Sequence, residues 1–337
     1  MNIFQNYLAE EFIEDYQEGR LSRREALRLI ASVTGNLILA QTLLAACAPP
    51  PAQPTAAAAA PSTTQPSSTA EVPTSTLAPT AEPAATEAPA SPAVPVSAPI
   101  GGTVSPDDPA IEAGPVEFPG EGAVALMGYL ARPKGEGPFA VVLVCHENRG
   151  LTDHIKDVTR RVAKAGYVGL AVDLLSRQGG TATVGSGNVP GTLGSSPPDQ
   201  FVQDFLSGWR YLRTQPFAQT ERVGMTGFCF GGGVTWLVAT HMPELKAAVP
   251  FYGPHPAVGE VPNINAAVLA IYAERDQRIN QGIPAIEAAM QQNNKVYQQV
   301  IYPDTDHAFH NDTGSRYVAE AAQDAWAKTL AWFEKYL

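Results

Sequence analysis

From about residue 106 onward, short apolar runs and stretches with helical spacing take turns along the chain. "AVALMGYLARP" (123–133) has strand character and ends in a proline. "AVVLVCHEN" (140–148), "YVGLAVDLL" (167–175), "KAAVPFYG" and "AAVLAIYAERD" are continuous apolar runs of the kind buried on both faces of a sheet. "RVGMTGF" and "KVYQQVIYP" predict two further strands. Between them, helices are predicted for "HIKDVTRRVAKAGY", stopped by Gly166, and for "DQFVQDFLSGWRYLRTQ" (199–215), opened by Asp199. "GGGVTWLVATHM", "PAIEAAMQQN" and the closing "RYVAEAAQDAWAKTLAWFEKYL" complete the set, with Trp326, Leu330, Trp332 and Phe333 at core-facing spacing. Residues 176–198, rich in Gly, Ser, Thr and Pro, predict a long loop. Strands alternating with helices imply an α/β fold: a mostly parallel, doubly wound sheet with helices on both faces and right-handed crossovers.

The front third has a different texture. Residues 1–47 predict an export signal, with Arg23 and Arg24, then a mostly apolar segment, then small residues before a cut point. Ser22-Arg23-Arg24-Glu25-Ala26-Leu27 resembles a twin-arginine signal, with Ala26 where a larger apolar residue is commoner. Leu44-Ala45-Ala46-Cys47 resembles the lipobox of bacterial lipoproteins. That resemblance implies a lipidated Cys47 as the new N-terminus and a protein anchored at the outer face of the cytoplasmic membrane, in a bacterial cell envelope. The alternative is an uncleaved anchor, although Thr34, Gly35, Asn36 and Gln41 interrupt its apolar run. Residues 48–105 collapse to Ala, Pro, Ser, Thr and a few Glu, a composition without a face to bury, and predict a disordered linker. The organisation is thus signal (1–47), linker (48–105) and one α/β domain (106–337).

A net charge of −11 argues against a nucleic-acid partner, which would need a basic face. Three cysteines, Cys47, Cys145 and Cys229, give no disulfide framework. Cys145 lies inside an apolar strand and reads as core packing.

In a sheet of this kind, reactive groups gather beyond the carboxyl ends of the strands. Glu147, Cys229, Asp276 and His307 all fall at such positions. Gly227-Phe228-Cys229-Phe230-Gly231 matches the nucleophile elbow G-x-[S/C]-x-G, in which a helix N-terminus points amides at the nucleophile. The order Cys229, Asp276, His307 is the nucleophile–acid–histidine order of α/β-hydrolases. A glycine-flanked cysteine by itself is as often inert packing. His146, Arg149, His255 and His310 are candidates for a substrate pocket, or for ordinary loop hydrogen bonding. Asp304, Asp306, His307 and His310 lack the spacing of a metal site, so no metal is expected.

Residues 120–337 resemble the dienelactone hydrolase (carboxymethylenebutenolidase) family through "CHENRGL", "YVGLAVDLL", "GFCFGGG", "YAERD" and "DHAFHND". The resemblance implies an α/β-hydrolase fold and ester or lactone cleavage through a thioester acyl-enzyme, with no cofactor. It implies Cys229 as nucleophile, His307 as base and Asp276 as the carboxylate that orients it. It further implies Glu147 as a contact of the thiol, and the backbone amides of Phe230 and Asn148 as the oxyanion hole. Two family arginines that grip a substrate carboxylate have no counterpart in "HAFHN" or in "QGGTATVGSGNVPGTLGSSPPDQ". A neutral or differently charged ester is therefore expected, and His310 or Arg177 could stand in. The partners expected are a small-molecule ester or lactone and, through the lipid alone, a membrane, for a monomer. The competing class is a lipid-tethered binding protein that keeps the fold without turnover.

Overall fold

The computed structural model describes residues 1–46 and 102–337. Eight strands form one sheet: β1 (Ile111–Pro119), β2 (Ala125–Pro133), β3 (Phe139–Cys145), β4 (Val168–Val172), β5 (Ala218–Phe228), β6 (Ala247–Phe251), β7 (Ala267–Ala273) and β8 (Tyr297–Tyr302). Their spatial order is β1-β2-β4-β3-β5-β6-β7-β8. β4, β3, β5, β6, β7 and β8 pair in parallel, whereas β2 runs antiparallel to both of its neighbours. The central strands are apolar throughout because both faces are covered, and Val141 to Cys145 are fully buried. β1 was not anticipated: its "IEAGPVEFP" carries two prolines, which a strand accommodates at a sheet edge.

In chain order the helices are α1 (Ile3–Gln17), α2 (Arg23–Thr34), α3 (Leu37–Ala46), α4 (Asp153–Lys164), α5 (Thr181–Val184), α6 (Val189–Ser195), α7 (Pro198–Leu212), α8 (Phe230–His241), α9 (Gln277–Asn280), α10 (Ile283–Gln292) and α11 (Ala319–Tyr336). The predicted loop 176–198 thus contains α5 and α6. Glycine and proline hid α6 from periodicity, yet Gly191 serves a close approach: a Cβ there would lie 2.8 Å from Ser32 Cβ on α2.

The first 46 residues pack against the α/β body in the same compact unit. α1 starts with a capping box, Asn2 accepting from the Gln5 amide and Gln5 accepting from the Asn2 amide. It buries Phe4, Tyr7, Leu8 and Phe12, spaced as one helical stripe. Phe4 meets Phe201 of α7 at 5.5 Å and Phe230 of α8 at 4.8 Å between ring centroids. α2 buries Ala26, Ile30 and Val33 and leaves Arg23 and Arg24 exposed. Among the described residues no helix is long and apolar enough to cross a membrane. Cys47 and most of the 48–105 segment lie outside the described residues.

Candidate active site

The sheet changes its winding direction at β3. The chain moves from β3 to β4 on one side, then to β5 on the other, which opens a crevice beyond the ends of β3 and β5. Cys145 at the end of β3 lies in register with Gly227 near the end of β5. Residues 146–148 and Cys229 therefore emerge side by side.

Cys229 is the N-cap of α8 with φ 59° and ψ −123°, a conformation an L-residue adopts only when its surroundings enforce it. The enforcement is steric. A Cβ at Gly231 would lie 2.5 Å from the His146 carbonyl oxygen and 2.6 Å from that of Cys145, so only glycine lets α8 start this close to β3. The bend lifts Sγ out of the sheet and sets it at the positive end of α8.

His307 follows β8 and Asp276 follows β7. His307 Nδ1 and Asp276 Oδ2 are 2.5 Å apart, and both side chains are buried. Burial disfavours the charged imidazole, but the Asp276 charge and its hydrogen bond prevail and raise His307 to about 10. Asp276 is held in place by accepting from the Ile279 amide at the start of α9. The His307 loop is pinned from α4: His154 Nδ1 and Asp312 Oδ1 are 2.9 Å apart, and Arg161 pairs with the same carboxylate.

Glu147 is placed differently from expectation. Its Oε2 accepts from Asn311 Nδ2 at 2.8 Å, and the carboxylate in contact with the thiol comes from α1 instead. Both Glu11 oxygens lie 3.6 Å from Cys229 Sγ, and Glu11 Oε1 also accepts from Asn148 Nδ2 at 3.0 Å. One turn earlier, the Tyr7 hydroxyl is 3.2 Å from Cys229 Sγ and 3.3 Å from His307 Nε2. Burial, then the neighbouring Cys229 and Glu11, push the Tyr7 phenol well above its usual range, so it is a protonated donor. Burial and then Glu11 raise the Cys229 thiol, against a lowering contribution from His307. Glu11, Cys229 and His307 bring one ligand-capable atom each within 4.8 Å of one another, a spacing open to a metal ion. The Tyr7 and Asn148 hydrogen bonds account for that spacing without one.

A cavity of about 710 Å³ adjoins the thiol, lined among others by Glu11, Glu147, Asn148, Arg149, Cys229 and Arg316. Of the four pocket candidates, Arg149 alone borders this cavity. His146 is fully buried, its Nδ1 2.7 Å from the Glu147 carbonyl and its Nε2 accepting from the Leu174 amide, so it shapes the loop. His255 pairs with the Tyr272 hydroxyl at 2.8 Å and borders a separate cavity of about 240 Å³. His310 is core: its ring stacks on Phe228 with centroids 5.0 Å apart, and burial lowers it to about 3. Arg177 is tied to Asp204 at 2.7 Å.

Sequence reasoning missed Tyr7, Glu11, Arg278 and Arg316. Arg278 lies over the Tyr7 ring, 4.5 Å from its centroid, and Arg316 is raised chiefly by Glu11 and Asp15 against the cost of burial. The stripe Phe4, Tyr7, Leu8, Phe12 marks a helix, and four acidic residues on it mark a basic partner surface. No motif marks where it docks.

Residues 126–337 match the model of the dienelactone hydrolase family. The chain belongs to that family. Two relatives named "Putative carboxymethylenebutenolidase" are similar to it. The Methylorubrum extorquens protein is 37% identical over 69% of this chain and 84% of its own. The Escherichia coli K12 protein is 34% identical over 72% of this chain and 94% of its own. Among solved structures, "Putative Dienelactone Hydrolase from Klebsiella pneumoniae subsp. pneumoniae MGH 78578" matches with a TM-score of 0.63 and 34% identity, covering 67% of this chain and all of that one. As a member of this family with an α/β-hydrolase fold, the chain is a dienelactone hydrolase-like hydrolase.

Proposed function

We propose that the protein hydrolyses an ester or lactone through a thioester on Cys229. His307 takes the thiol proton and later activates water, while Asp276 fixes the imidazole tautomer and stabilises its charged form. The amides of Phe230, at the start of α8, and of Asn148 are assigned to the developing oxyanion. The acyl carbon binds sulfur, the alcohol leaves with a proton from His307, and water then returns sulfur as the thiol. Glu147, held by Asn311, lines the cavity and is assigned to substrate contact together with Arg149.

One observation carries this reading. Cys229 Sγ at the elbow and a ring nitrogen of His307 lie within 4.8 Å of each other, and Nδ1 of that ring is 2.5 Å from Asp276 Oδ2. The test is turnover of short p-nitrophenyl esters and of γ- and δ-lactones by the purified full chain. Cys229→Ala is expected to abolish it, and mass spectrometry to find the acyl group on Cys229 of the wild type. Unchanged turnover in Cys229→Ala overturns the reading.

For its location, we propose export with a lipid anchor at Cys47. Two features support this: the exposed Arg23-Arg24 pair and the small residues that precede Cys47. The enzyme would then act as a monomer at the outer face of the cytoplasmic membrane.

A further inference from the structure

An attacking sulfur needs its target carbonyl carbon about 3–3.5 Å away and open space around it. In this chain the Tyr7 hydroxyl, at 3.2 Å, occupies that shell, and the two Glu11 oxygens, at 3.6 Å, stand at its outer edge. Cys229 is left 3% exposed. The groups responsible belong to α1, which precedes the 126–337 region shared with the family.

Three sets of contacts hold α1 there. Phe4 packs on Phe201 and Phe230. The Arg278 guanidinium covers the Tyr7 ring and lies 3.4 Å from Glu14, while Arg316 lies 3.7 Å from Asp15. Asn2 and Gln5 donate to the carbonyls of Gly194 and Val33. α1 offers Glu10, Glu11, Glu14 and Asp15 without one basic residue, which matches two arginines across the contact.

We propose that α1 is an intramolecular inhibitor that seats Tyr7 and Glu11 on the nucleophile and must leave before substrate can be attacked. This rests on the hydrolase reading above for its biological meaning, but the docking is independent of turnover. Glu11 holds a carboxylate against the sulfur, which keeps the proton on the thiol. When α1 departs, that charge goes with it. Cys229 then passes its proton to His307, and the thiolate pairs with the imidazolium. The freed Arg278 and Arg316 face the vacated groove. On the leader reading, cleavage before Cys47 would sever α1 to α3 from the body and make inhibition temporary.

The experiment compares the full wild-type chain with Phe4→Asp, which loosens α1 without altering Tyr7, Glu11 or the body. Two rates are measured: hydrolysis of p-nitrophenyl acetate, and iodoacetamide alkylation of Cys229 read by peptide mass. Both are expected to rise about tenfold or more, because the apparent rate scales with the fraction of open molecules. A rise in alkylation without ester turnover supports the inhibitor and counts against the hydrolase reading. Turnover in both proteins with equal or lower rates in a folded Phe4→Asp overturns the inhibitor and makes α1 a working wall of the site. Should Phe4→Asp fail to fold, hydrogen exchange in the wild type decides. A bulky maleimide on Cys229 is expected to strip protection from the Phe4–Phe12 amides, and unchanged protection overturns the proposal.

Discussion

Glu11 and Cys229, 218 positions apart, meet with both carboxylate oxygens 3.6 Å from the sulfur. A buried thiol facing a carboxylate resists ionisation, since the two negative charges would repel at short range. Burial first, and this contact second, keep the resting sulfur a thiol, against the lowering contribution of His307.

Glu11→Gln removes the charge while keeping the shape. The pH midpoint for alkylation of Cys229 is expected to move down, because the carboxylate raises the thiol pKa. An unchanged or higher midpoint would show that burial alone sets it.

Asp276→Asn should lower the His307 pKa from about 10, and imidazole proton shifts followed by NMR would report it. The raised value means that the charged ring stabilises the fold fully below about 6.5, and that this stabilisation is lost as pH rises towards 10. Urea melts of Asp276→Asn are therefore expected to show less loss of stability between those limits. Turnover should fall roughly 10⁴-fold, the scale of losing the carboxylate of a nucleophile triad.

His310→Phe tests the reassignment of His310 to the core. Its neutral ring, lowered to about 3, favours the folded state above about 6.5, an advantage that shrinks as pH falls towards 3. The groups facing it are His154, Arg161 and Asp312. The variant should keep its ester turnover and lose less stability than wild type between pH 6.5 and 4. A large drop in kcat at neutral pH would return His310 to the pocket.

Gly231→Ala drives a methyl group into the carbonyls of Cys145 and His146. A loss of about 2 kcal/mol or more is expected in thermal or urea melts, from backbone that must shift. Cys229 alkylation should change as well, because the elbow and β3 move together.

β3, β4, β6 and β7 were legible because each is a dense apolar run, and the elbow because Gly227-Phe228-Cys229-Phe230-Gly231 carries its own geometry. β1 escaped because its prolines weaken the strand signal, and α6 because Pro190 and Gly191 mask a helix stabilised by α2. His307 and Asp276 could be paired from chain order and family resemblance. Glu147 could not be oriented, since its choice between Cys229 and Asn311 depends on which carboxylate already holds the sulfur. The role of α1 was illegible for a similar reason: the complement of Tyr7 and Glu11 is assembled from residues between 148 and 316.

Because α1 travels on the same polypeptide as the groove it fills, its occupancy is independent of how dilute the protein is. Specific activity should stay constant over a wide dilution series, unlike that of an enzyme restrained by a separate subunit. Only an event that cuts the chain, or a molecule that outcompetes the helix locally, would turn such an enzyme on.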